Sequence, residues 1–100
     1  MNENAVFELL MELHREIEVD AGEDPAAVKP DIMPFDGLKG FDSILIPNVV
    51  RGLAKGSGIT LKKGERLRNP YINGKTRLTL RNVAKRFYEL YKVKKDNDDQ

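Results

Sequence analysis

The chain contains no cysteine and only one histidine, His14. Without cysteine there is no disulfide, no thiolate ligand for a metal and no cysteine nucleophile. One histidine leaves no basis for a His-rich metal site or a catalytic triad. There is no Gly-rich phosphate loop and no convincing pair of carboxylates, so an independent enzyme is not expected and no catalytic residue is assigned. No apolar run approaches the ~20 residues of a membrane span. The first residues are acidic and lack a basic n-region, so they are not read as a signal peptide. A cytoplasmic location is the default expectation. No internal repeat or low-complexity tract occurs.

What is present fits one small helical domain. The chain has 100 residues, 40% apolar and 33% charged. That length gives a core large enough to fold but marginal in area. The net charge of +1 conceals an asymmetry. Residues 1–50 carry 3 Lys/Arg and 11 Asp/Glu, whereas residues 51–100 carry 14 and 5. Folding brings the halves together and offsets much of the field, although a basic face for an anionic partner stays open.

Asn4 to Val19 is predicted as an amphipathic helix. Val6, Leu10, Leu13 and Ile17 recur at spacings of 4, 3 and 4, with Phe7 and Met11 broadening the stripe. Asn2 or Asn4 can cap it. His14 is read as a partly exposed histidine at the edge of this helix. Asp20 to Leu38 follows as a long connection whose prolines, Pro25, Pro30 and Pro34, prevent a long helix. A short helical turn at Ala26 to Val28 is allowed. Ile32, Met33, Phe35 and Leu38 can pin this loop over the core.

Ser43 to Lys55 is predicted as the second helix, with Ile46, Val49, Val50 and Leu53 inward. Asp42 or Ser43 can cap it, because a side-chain oxygen accepts an amide hydrogen that a new helix leaves unpaired. Gly56 and Gly58 provide the stop. Pro47 stands several residues inside and removes a backbone hydrogen bond. The regular helix can therefore begin nearer Pro47, leaving 42–46 as a looser turn. Gly58 to Leu61 is a short apolar piece. Lys62, Lys63, Arg66 and Arg68 make the next stretch basic. Tyr71-Ile72 and the alternation Lys75 to Leu80 can flank an Asn73-Gly74 hairpin. An irregular loop with a short helical turn is the slightly preferred reading. Thr79 to Val93 is the last helix, capped by Thr79, with Leu80, Val83, Ala84, Phe87, Leu90 and Tyr91 on its apolar stripe. Residues 96–100 have no apolar side chain and should fray, so the domain is expected over 1–95.

Gly40-Phe41-Asp42-Ser43-Ile44 resembles the phosphopantetheine-attachment motif of acyl and peptidyl carrier proteins, Gly-Leu/Phe-Asp-Ser-Leu/Ile. Ser57 to Leu61 is similar to the Phe-Gly-Ile-x-Ile segment after the second helix of that family. Thr79 to Ala84 is similar to the start of its last helix. The resemblance spans most of the chain. It implies an all-α fold, a small carrier-like bundle of three main helices plus a short helix or turn, with a long first loop. It implies that Ser43 takes 4'-phosphopantetheine from coenzyme A, through a phosphopantetheinyl transferase, with Asp42 supporting recognition. The chain would then carry an acyl group as a thioester and be a substrate of other enzymes rather than an enzyme, a monomer with no resident metal.

Three features depart from the family pattern. Arg51 and Lys55 lie on a helix that is usually acidic, the stretch from Leu61 to Thr79 is long, and Pro47 is unusual. They point to a specialised lipid or secondary-metabolite pathway rather than general fatty-acid synthesis. Acyl-loading or acyl-transferring partners would touch Ile44, Asn48, Arg51 and Lys55, through acidic docking patches. The alternative is a small basic nucleic-acid-binding module. Thr79 to Phe87 resembles the entry to a helix-turn-helix, and Lys62, Lys63, Arg66, Arg68, Lys75 and Arg77 can extend its basic surface. No well-formed recognition helix follows it.

Overall fold

A computed structural model describes residues 2–59 and 68–91. Lys62, Lys63, Arg66, Val93 and the tail 96–100 lie outside the described residues, and the last helix ends at Leu90, capped by Tyr91, short of the predicted end at Val93. The described residues form four α-helices, two short 3₁₀ turns and one two-stranded hairpin, joined by loops. Three of the helices are long: α1 (Glu3–Asp20), α3 (Ile46–Gly56) and α4 (Leu80–Leu90). The fourth, α2 (Pro34–Gly37), is a single turn within the first connection. The chain is mostly helical, but the hairpin makes it less than purely α.

Helix α1 starts where its cap allows. Asn2 is extended and its side-chain oxygen accepts the Ala5 N–H at 2.8 Å. The helix ends in a Schellman motif: Gly22 has φ of +79°, the Gly22 N–H donates to Val19 O, and the Glu23 N–H donates to Glu18 O. Its buried face is turned relative to the predicted stripe. Val6, Phe7, Leu10, Met11, His14 and Glu18 are buried, whereas Leu13 and Ile17 are only partly covered. The periodic positions 7, 11, 14 and 18 carry the stripe past its last apolar residue and into two polar ones. His14 is therefore a core residue and not a surface one.

The long connection is ordered by the helix that follows much later. The first amides of a helix have no partner within it. In α4 the Leu80 N–H donates to Ile32 O and the Arg81 N–H to Pro30 O, both at 3.0 Å. Two loop carbonyls thus act as backbone caps for α4, and the Thr79 hydroxyl accepts the Asn82 N–H. The helical turn in this connection falls at Pro25–Ala27, one residue before the predicted place, because the Asp24 side chain accepts the Ala26 N–H. Leu38 is buried, and Ile32, Met33 and Phe35 are half-buried, as a loop pinned over the core requires.

The second long helix has the looser beginning that Pro47 allows. Residues Ser43–Leu45 form a 3₁₀ turn that runs directly into α3 at Ile46. Pro47 then stands in the first turn of the regular α-helix, where an amide hydrogen would have no intrahelical partner anyway. The stop is Gly58 rather than Gly56: Gly58 has φ of +74°, with Gly58 N–H to Lys55 O and Ile59 N–H to Ala54 O completing a second Schellman motif. Gly56 has a different task, because a β-carbon there would intrude on the Leu9 side chain of α1. It permits close approach of the two helices.

The irregular loop preferred for the segment before α4 is replaced by a hairpin. Strands β1 (Ile72–Asn73) and β2 (Thr76–Arg77) pair antiparallel, with Ile72 opposite Arg77 and Asn73 opposite Thr76. The two-residue link is Gly74-Lys75, and Gly74 has φ of +65°, the left-handed backbone a tight hairpin demands. So short a hairpin is marginal alone. It is held by Tyr71, which is fully buried, and by Leu78 N–H donating to Tyr71 O.

Candidate functional site

The segment Gly40 to Ile44 crosses from the core to the surface within five residues, and each residue has a different environment. Gly40 is half-buried against the end of α1, and its N–H donates to Glu18 Oε1 at 3.1 Å. Phe41 is buried. Its ring lies 5.0 Å from that of Tyr71 in a stacked arrangement, 4.8 Å from His14 and 5.5 Å from Phe35. Asp42 is extended and exposed, and its Oδ1 accepts the Ile44 N–H at 2.9 Å. Ser43 is exposed, at the first position of the 3₁₀ turn. Ile44 is 79% exposed, the most exposed large apolar side chain among the described residues.

The two amides that follow Ser43 are already engaged within the turn. The Ile44 amide is taken by the Asp42 side chain and the Leu45 amide by the Asp42 carbonyl. A group attached to Ser43 would therefore extend into solvent and not lie in an amide cradle. The residues around it make one face. Ile44, Asn48, Arg51 and Lys55 are all exposed and recur at spacings of 4, 3 and 4 along the turn and α3. The opposite face buries Ile46, Val49, Val50, Leu53 and Ala54. Arg51 and Lys55 form no ion pair among the described residues. The sequence-predicted site residues thus fall together on one surface, with Ser43 at its head.

The core also holds a polar cluster that includes His14, which the sequence placed at the edge of its helix. His14 Nε2 is 2.6 Å from the Tyr71 hydroxyl, and both residues are fully buried. Burial lowers the His14 pKa to about 4, since the charged imidazolium would lose its hydration. Burial likewise raises the Tyr71 pKa well above its usual value. Glu18, also buried, reaches the Gly40 amide with one oxygen, while Glu18 Oε2 and His14 Nδ1 have no hydrogen-bond partner. The available signal was the 7-11-14-18 spacing, which puts both polar residues on the core side of α1.

Among the described residues, no group of three or more His, Asp or Glu side chains is placed to hold a metal ion. No helix among them is long and apolar enough to cross a membrane. Comparison with protein-family models, with curated proteins and with solved structures finds no match.

Proposed function

We propose that the protein is an acyl carrier, a small bundle of three main helices that bears 4'-phosphopantetheine on Ser43 and serves a specialised acyl-transfer pathway. The observation that carries this reading is the placement of Ser43. It is exposed at the head of α3, between a capping Asp42 and a solvent-facing Ile44, directly after the buried anchor Phe41. A carrier needs a serine that a second enzyme can reach, on a backbone that stays put. It also needs room for an attached arm, and the exposure of Ser43 beside the buried Phe41 supports this reading.

In the modification, the Ser43 hydroxyl attacks the phosphorus that bears the pantetheine in coenzyme A. The pyrophosphate bond to the adenosine nucleotide breaks, and the nucleotide leaves. The serine proton passes to a base on the transferase. The product is a phosphodiester whose arm ends in the thiol that the chain itself lacks. The arm raises the local concentration of its acyl thioester at partner enzymes. Asp42, already spent on capping, orders the turn the transferase must grip. Ile44, Asn48, Arg51 and Lys55 form the docking face, whose cations suit partners with acidic patches.

The nucleic-acid alternative draws less support. Arg77 is paired with Asp36 at 2.8 Å, and the Arg81 guanidinium lies over the Phe7 ring. Two of the cations on that basic surface are thus engaged within the fold.

Mass spectrometry after incubation with coenzyme A and a broad-specificity phosphopantetheinyl transferase tests the carrier reading. One phosphopantetheine adduct is expected on the wild type and none on Ser43→Ala. No adduct on the wild type, or an adduct that persists in Ser43→Ala, defeats it.

A further inference from the structure

Three features on different elements converge on the backbone just ahead of Ser43. Glu18, in the last turn of α1, is 1% exposed, and its Oε1 accepts the Gly40 N–H. Gly40 lies so close to this turn that a β-carbon there would come within 2.8 Å of both Glu18 Oε2 and the Ala21 β-carbon. Phe41, the next residue, is held in the ring cluster of His14, Phe35 and Tyr71. The turn that bears Glu18 is itself fixed, because the Glu18 carbonyl accepts the Glu23 N–H of the Schellman motif at 2.8 Å.

We propose that Glu18 is a positioning residue for Ser43: its buried side chain holds the Gly40 amide, and so fixes the segment that presents the serine to the modifying enzyme. Only Phe41 and Asp42 separate Gly40 from Ser43, so a displacement at Gly40 is passed to the serine with little chain to absorb it. Half-buried against α1, the Gly40 amide finds its acceptor in the buried Glu18 side chain of another element. This makes the glycine of the motif a steric requirement of α1 and not only a turn residue. The proposal rests on the carrier reading, since it concerns presentation of Ser43 for modification.

Two substitutions separate the hydrogen bond from the volume of the side chain. Glu18→Met keeps much of the volume and removes the acceptor. Glu18→Gln keeps an acceptor oxygen. In Glu18→Met, amide exchange at Gly40 and Phe41, the two amides of the segment with an acceptor, should rise about tenfold relative to wild type while α3 and α4 stay protected, as local opening would give. The KM for the carrier in the transferase reaction should rise, with kcat little changed, by the factor through which the fraction of molecules with a closed segment falls. Glu18→Gln should restore both readings towards wild type. Unchanged exchange and kinetics in Glu18→Met overturn the proposal. So does a loss of protection spread evenly over all three long helices, and so does a Glu18→Gln variant that behaves like Glu18→Met. A wild type that acquires no adduct defeats the carrier reading and this proposal with it. Normal modification of both wild type and Glu18→Met defeats the proposal alone.

Discussion

His14 Nε2 and the Tyr71 hydroxyl meet at 2.6 Å in the core, joining α1 to the start of the hairpin across 57 positions of sequence. A neutral imidazole brings one N–H and a tyrosine one O–H. The pair forms one hydrogen bond between them, and His14 Nδ1 has no partner in either tautomer. The contact is therefore specific but not fully satisfied. Its ring neighbour, Phe41, connects it to the proposed attachment segment.

Removing one half of this pair should cost more than removing both. Tyr71→Phe leaves His14 buried with neither ring nitrogen partnered, a loss of about 1–3 kcal/mol. Replacing both groups by apolar rings removes the orphan. The double variant His14→Phe/Tyr71→Phe should therefore recover part of the stability lost in Tyr71→Phe, as read by urea unfolding. A double variant less stable than either single one would show that the hydrogen bond is not what governs the site.

The same burial makes stability depend on pH. The unfolded His14 titrates near 6.5 and the folded one at about 4. Above 6.5 both states are neutral and this residue contributes no slope. Between 6.5 and 4 the unfolded state binds a proton that the folded state refuses, so stability falls as pH falls. A shift of this size corresponds to about 3 kcal/mol over the window. His14→Gln should flatten the unfolding free energy between those limits, after allowance for carboxyl groups that titrate at the acid end. An unchanged slope in the variant would assign the pH dependence elsewhere.

The legible parts of the fold were those set by local chemistry. The start of α4 at Thr79, the helical face of Ile46, Val49, Val50 and Leu53, and the role of Pro47 follow from capping, periodicity and the missing amide. The capping turn at Asp42 and Ser43 was legible for the same reason, because capping is local. What was not legible depended on partners distant in sequence. A histidine among glutamates and an arginine reads as surface until Tyr71 is placed against it. Nor does any local pattern reveal that Gly56 is empty so that Leu9 can occupy the space. The hairpin was underrated because its stability comes from Tyr71 in the core and not from its own two short strands.

Gly56 and Gly52 give a test of that packing. On propensity alone, Gly→Ala within a helix gains up to about 1 kcal/mol. At Gly52 the new β-carbon would lie 3.2 Å from both Leu13 δ-carbons, so the gain and the crowding should nearly cancel. At Gly56 the β-carbon would intrude on Leu9, and overpacking of this kind costs about 1–3 kcal/mol. Thermal unfolding should show Gly56→Ala destabilised and Gly52→Ala near neutral. Leu9→Ala should relieve the Gly56→Ala penalty in a double-mutant cycle. Additive effects of the two changes would mean that Leu9 and Gly56 do not share the space.

The charge on the proposed docking face should be felt in rates more than in stability. Arg51 and Lys55 are exposed and free of ion pairs among the described residues, so reversing them costs the fold little. At the edge of an interface, such charges act mainly on encounter rate and are screened as ionic strength rises. Arg51→Glu/Lys55→Glu should therefore reduce kcat/KM with the cognate acyl-transferring enzyme, by about tenfold at low salt, and the difference from wild type should shrink as salt is added. Circular dichroism should remain that of the wild type. Asn48→Ala on the same face carries no charge change and should leave the salt dependence intact. Equal kinetics for wild type and the double reversal across the salt range would remove Arg51 and Lys55 from the docking surface, while leaving the attachment of phosphopantetheine to Ser43 to be decided by its own adduct.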